Sequence, residues 1–266
     1  MTNNYKKFQI LNIIAVLFTI VMNALANILP FNGVNTGMVA DSFPNYFTPP
    51  GYVFAIWGAI YVLLFIFMIY QAKGSQVNEE YLGKIGYLYF IGAILNVAWL
   101  ILFHYSYNNT PLLIWSEFLI AGFLVVLLVT YVKLQIGITE VPLKQKIAIH
   151  LPTSVYLGWI SLATIANTAA LLNVNFGFSL DEQYLWTALV LVVALVLTTL
   201  MIVLRRDLAY GLVVIWASTG IASKWASIPL IYNTAMIVAI VVVLLIVVVP
   251  LIRKKNWIDY YLGRNL

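Results

Sequence analysis

Apolar residues in this chain neither alternate nor keep to one helical face; they run on in long blocks. Eight such blocks follow one another, approximately at 8–29, 51–71, 82–105, 110–133, 146–172, 184–204, 208–226 and 228–252. A helix crossing a hydrocarbon core about 30 Å thick needs roughly 20 mainly apolar residues. The pattern therefore predicts an all-α membrane protein of eight transmembrane helices. Polar punctuation supports the divisions: Thr110 precedes Pro111, Ser179 and Glu182 have capping-box spacing, and Asp207 precedes the seventh block. Each supplies a helix start with an acceptor for unpaired amides or with a pre-set φ. The connections at 205–207 and 227–229 are so short that the last three helices must run up and down.

Orientation follows from the basic residues. Lys6, Lys7, Lys73, Lys84, Lys133, Lys144, Lys146, Arg205, Arg206, Arg253, Lys254, Lys255 and Arg264 fall on one side of these spans, and Lys224 alone on the other. Lysine and arginine are retained on the cytoplasmic face, so a multi-pass plasma-membrane protein with both termini in the cytoplasm is expected. A missed or invented span would scramble every later loop. Lys6-Lys7, an apolar run and Ala24-Leu25-Ala26 also imitate a secretory signal, whose removal near Asn27 would leave seven helices. The run exceeds a usual signal core and is expected to remain as the first span.

Composition sharpens this picture. Of 266 residues, 63% are apolar and 9% charged, against about 25% charged in soluble domains, so no soluble domain is expected. Cysteine is absent, which removes disulfides, thiolate metal sites and cysteine nucleophiles. The net charge of +5 lies in caps between apolar blocks and reports orientation, not a nucleic-acid partner. His104 and His150 lie toward opposite faces, and no His/Asp/Glu set has metal-ligand spacing. No phosphate loop or nucleophile elbow is present, which disfavours nucleotide-driven and hydrolytic chemistry. Asn108-Asn109-Thr110 matches a glycosylation acceptor but hugs the membrane before Pro111, so it reads as a helix cap.

Polar and aromatic residues inside the spans are the candidate chemistry. Asn12, Asn23, Asn27, Asn96 and Asn167 place amides at lipid depth, where an unpartnered polar group is costly, so they should face inward. Trp186 and Trp225 fit an interfacial belt, whereas Trp57, Trp99 and Trp159 lie deeper and suit the wall of a cavity for flat apolar ligands. Residues 30–50, the longest stretch read as non-helical, carry Phe31, Phe43, Pro44, Tyr46 and Phe47. A connection this apolar is expected to fold onto the bundle mouth as a lid, anchored by Pro49-Pro50. Glu117 lies about two turns into the fourth span, where an ionised carboxylate costs about 2.5 kcal/mol without a partner. Glu117 is therefore either protonated or paired; Lys224, at a similar level, is a candidate partner, the alternative being that it reaches the outer interface alone.

Three segments then carry a resemblance: Phe47-Thr48-Pro49-Pro50-Gly51-Tyr52-Val53-Phe54-Ala55-Ile56-Trp57; Leu95-Asn96-Val97-Ala98-Trp99 through Phe103; and Tyr156-Leu157-Gly158-Trp159-Ile160-Ser161-Leu162-Ala163-Thr164 with Asn167 and Leu172-Asn173. In order and spacing they resemble the TspO/MBR family, the tryptophan-rich sensory proteins, over about residues 8–173. Departures include Phe47 and Tyr52 where the family commonly has Trp, Ala55-Ile56 in place of Gly-Pro-Val, and Val155 in place of Pro. Family members usually stop after five helices. The resemblance thus implies a five-helix domain at 1–173 and an additional three-helix segment at 174–266. It also implies a membrane binding protein or sensor for tetrapyrrole (porphyrin), sterol-like or isoquinoline-type molecules, with the tetrapyrrole a ligand and no cofactor required. The residues expected at the site are Pro50, Phe54, Ala55, Trp57, Asn96, Trp99, Trp115, Glu117, Trp159 and Ala163. The partners are then the lipid bilayer and a small hydrophobic ligand, with oligomeric state open, a homodimer included. Two alternatives are a secondary transporter or exporter with Glu117 as proton-responsive group, and an enzyme degrading a bound tetrapyrrole with the Trp cluster as electron donor.

Overall fold

The computed structural model describes residues 5–43 and 45–263; Pro44 and Arg264 lie outside the described residues. These fold into α1 (Lys6–Ile28), α2 (Thr36–Ser42), α3 (Ile56–Gln71), α4 (Glu80–Ile85), α5 (Leu88–Tyr105), α6 (Thr110–Lys133), α7 (Leu143–Gln145), α8 (Leu151–Phe176), α9 (Leu180–Arg205), α10 (Leu208–Lys224), α11 (Pro229–Ile252) and α12 (Trp257–Leu262). No strand occurs among the described residues. Seven helical stretches among them are long and apolar enough to cross a membrane: α1, Gly51–Gln71, α5, α6, Leu143–Phe176, α9 and α11. The remaining block, α10, is apolar but has 17 residues, about 25 Å at 1.5 Å per residue.

Local chemistry explains most boundaries. Ser179 and Glu182 form a reciprocal capping box at the start of α9, and the Asp207 carboxylate accepts from the Tyr210 amide at 3.0 Å. Three departures from the expected elements have physical causes. The block 82–105 breaks into α4 and α5 where the Gly86 N–H closes onto the Leu82 carbonyl. The fifth block begins with a π-helical turn, Lys146–His150, ending two residues before Pro152, which has no amide hydrogen to continue the ladder. Residues 30–50 are not wholly irregular: α2 forms because the Asn35 side chain accepts from the Met38 amide.

α1, α3, α8, α6 and α5 close a ring, each packing on the next, and α5 returns to α1. α9, α10 and α11 pack on one another, and α10 lies along α8 outside the ring. Asn12, Asn23, Asn96 and Asn167 are all buried, and Asn23 Nδ2 donates to Asn96 Oδ1 at 2.7 Å, tying α1 to α5. Asn27 is exposed at the end of α1 and donates to the Asn23 carbonyl. The basic residues gather at one end, where Lys7 meets Tyr87, Tyr131 OH donates to Asp207 at 2.9 Å, and Tyr260 and Tyr261 pin α12 to the Ile202 and Ile246 carbonyls. Lys224 and the 30–50 segment occupy the opposite end.

Candidate functional site

Three helices each bring one indole to the same place: Trp57 from α3, Trp99 from α5 and Trp159 from α8. Trp57 lies nearly parallel to Trp99 at 6.3 Å and edge-on to Trp159 at 6.2 Å, while Phe54 meets Trp159 edge-on at 5.8 Å and Phe103 stacks under Trp99 at 5.4 Å. Such offset and edge-to-face pairs are the favoured aromatic geometries. They wall a cavity of about 60 Å³. Ala163, Ala166 and Asn167 of α8 complete the side; Phe43, Phe47, Thr48 and Pro49 form the roof; Ala217 and Ile221 of α10 close the flank.

Three buried polar atoms of this wall have no partner: Trp99 Nε1, Trp159 Nε1 and Asn167 Oδ1. A buried donor or acceptor left unpaired costs about 1–3 kcal/mol, so these two donors and one acceptor are the unmet polar groups of the wall. Asn167 is oriented from behind, since its Nδ2 donates to Glu117 Oε2 at 2.7 Å, and Thr168 Oγ1 donates to Glu117 Oε1 at 2.6 Å. Beside the cavity, an open hollow of about 550 Å³ lies between the end of α1, α2 and the start of α3, and Thr36, Phe54 and Trp57 belong to both walls.

The roof is held from α10. Lys224 Nζ meets Asp41 Oδ1 at 2.6 Å, Tyr52 OH and Ser223 Oγ are 3.0 Å apart, and Trp216 Nε1 donates to the Val53 carbonyl at 3.0 Å. Tyr46 is wedged between Tyr184 and Trp225, with ring centroids at 4.8 and 4.6 Å, and Asn45 Nδ2 donates to the Ala166 carbonyl at 2.6 Å. Gly220 makes this approach feasible, because a Cβ there would sit 2.4 Å from Val53 Cγ2.

Of the residues singled out in the sequence, Phe54, Trp57, Trp99, Trp159 and Ala163 come together at the cavity. Pro50 is half-buried at its rim, facing Gly220 beside Pro49. Asn96 is fully buried on the α1 side, and Ala55 is exposed. Trp115 is 61% exposed on the outer face of α6, against Phe118. Glu117 reaches the cavity only through Asn167. The candidate Glu117–Lys224 pair is not formed: Glu117 accepts from Asn167 and Thr168 of α8, and α2 brings Asp41 to the lysine. Phe103 and Asn167 stood in the quoted motifs without being assigned to the wall. Ala217 and Ile221 carried no signal, since small and branched residues in an apolar helix look alike whether they face lipid or protein.

A family model described as TSPO-like protein matches residues 9–248. The chain belongs to this family. The match runs past the five-helix ring, through α9 and α10 and into α11. No curated protein and no solved structure matches the chain. In this TSPO-like protein, then, α10 contributes both a cavity wall and the fastening of its roof.

Proposed function

We propose that this TSPO-like protein is a membrane receptor that takes a flat apolar molecule, a tetrapyrrole or a sterol-like compound, into the tryptophan-walled cavity, with residues 30–50 as the lid. One observation carries the reading: the unpartnered Trp99 and Trp159 N–H groups and Asn167 Oδ1 at a buried aromatic wall. About 60 Å³ is room for roughly two waters, whereas drug-sized pockets span roughly 300–1,000 Å³. Binding therefore requires the lid to lift and withdraw Phe43 and Phe47, and the open hollow against Thr36, Phe54 and Trp57 is the entry. In the same reading α10 is an eighth crossing, and the end rich in lysine and arginine is cytoplasmic.

Titrating purified protein with a free-base porphyrin should quench tryptophan fluorescence saturably. Trp99→Phe/Trp159→Phe should weaken the affinity tenfold or more, a tenfold loss being about 1.4 kcal/mol. Linear, unsaturable quenching by porphyrin, together with no thermal shift from a sterol, would sink the receptor reading. Carriage of the ligand across the membrane is a second reading, supported by Glu117 standing behind Asn167; uptake into proteoliposomes that ignores a pH gradient and Glu117→Gln counts against it.

A further inference from the structure

At the opposite, basic end lies another cavity, of about 250 Å³, where the turn between α9 and α10 faces the start of the fifth long helix and α12. Lys146, His150, Arg205 and Arg206 line it together with Asp207. Arg205 Nη1, Arg206 Nη1 and His150 Nε2 are buried there without a hydrogen-bond partner, and His150 is only 3% exposed. Neither arginine nor Lys146 forms an ion pair in the cavity. The single acid is committed elsewhere: Tyr131 OH donates to Asp207 Oδ2 and the Tyr210 amide to Oδ1. The two guanidinium groups lie over the Tyr131 and Tyr260 rings, at 5.7 and 5.3 Å from the ring centroids, contacts that leave their N–H groups without an oxygen acceptor. Clustered cations that line a cavity without a carboxylate partner call for an anion.

Two further features favour a built site. Arg206 caps α9 with φ at +51°, a left-handed conformation that favours glycine, yet an arginine stands there. The cavity mouth is apolar, with Leu143 at 48%, Ile147 at 46% and Ile258 at 55% exposure, and Trp257 beside them. A site that offers guanidinium groups inside and greasy side chains at its lip matches a molecule with a phosphate head and hydrocarbon tails.

We propose that the cavity lined by Lys146, His150, Arg205 and Arg206 binds a phosphate group, carried by an anionic lipid of the leaflet at the basic end. Basic pockets between membrane helices recognise lipid headgroups in this way. A soluble phosphate shares the chemistry, and the apolar lip favours the lipid.

The test uses the full chain in a nonionic detergent. Phosphatidylglycerol should raise the thermal midpoint by several degrees through binding to the folded state, while phosphatidylcholine and millimolar inorganic phosphate should not. Arg205→Gln/Arg206→Gln should abolish the shift and Lys224→Gln, at the other end, should keep it. An equal shift with inorganic phosphate would uphold the phosphate site and overturn the lipid as its source. A shift identical for both lipids, or unchanged in the arginine double variant, would overturn the site itself. Should that variant fold poorly, Lys146→Gln with native mass spectrometry decides: retention of phosphatidylglycerol adducts undiminished from the parent chain refutes the proposal, and at least a threefold loss supports it.

Discussion

Asn12 on α1 is completely buried, and neither its Oδ1 nor its Nδ2 has a partner. Its neighbour Asn23, by contrast, spans to Asn96. The pair ties two helices together, and a membrane hydrogen bond of this kind is worth about 1 kcal/mol. Asn12 has no such return, so Asn12→Leu should stabilise the detergent-solubilised protein by about 1–3 kcal/mol, seen as a raised thermal midpoint; a fall would show that Asn12 holds an essential contact. Asp207 is the other telling residue. Burial raises its carboxyl above the usual 3.8, although Ser154, Tyr131 and the Tyr210 and Ala209 amides act in the other direction. A folded value above the unfolded one means the folded state binds more protons. The group's contribution is therefore full below 3.8 and is lost as pH rises through the raised value. The thermal midpoint should fall across that window, and Asp207→Asn should flatten the slope.

Among the elements, α2 is the one whose position decides access to the cavity. Seven residues cannot hold a helix by themselves, so its place depends on the ties of Thr36 to Asn27 of α1 and His104 of α5 and of Asp41 to Lys224 of α10. The Asp41–Lys224 pair is partly solvated, with side chains 53% and 21% exposed, and such pairs contribute about 0.2–1 kcal/mol. A double-mutant cycle of Asp41→Asn and Lys224→Gln should give a coupling in that range that shrinks with salt. Gly220→Leu should do more, since any side chain there displaces the Val53 turn and with it the Trp216 bond. Porphyrin association in stopped-flow quenching should accelerate; an unchanged rate would mean that this fastening does not govern entry. Helix starts at Ser179 and Asp207 were legible in the sequence because their capping is local. The α4/α5 break, the π-helical turn and α12 were not, because apolar runs average over one or two residues that break a ladder.

At the scale of the molecule, the eighth crossing is the claim most open to direct measurement. The chain has no cysteine, so single cysteines report without background. Thr139 lies between α6 and α7, and Ser227 lies beyond α10. If α10 crosses, an impermeant maleimide on intact cells should label Ser227→Cys at once and Thr139→Cys only after permeabilisation. Equal labelling would remove the crossing. α3, α5 and α8 of the ring shape the cavity together with α10, and α9 and α10 brace its roof. The TSPO-like match accordingly covers both parts.

Membrane residence, the places of the long helices, the direction of the charge bias and the family were all written in the chain itself. Each follows from one-dimensional quantities: the length of apolar runs, the side on which cations are left, and the order of aromatic motifs. Tertiary structure alone decided which tryptophans share a wall, that α10 closes it, that Lys224 takes Asp41 instead of Glu117, and that two arginines and a histidine line one cavity at the basic end. Those outcomes depend on which helices become neighbours, and in a chain apolar on every face hydrophobicity no longer distinguishes the side that meets protein from the side that meets lipid.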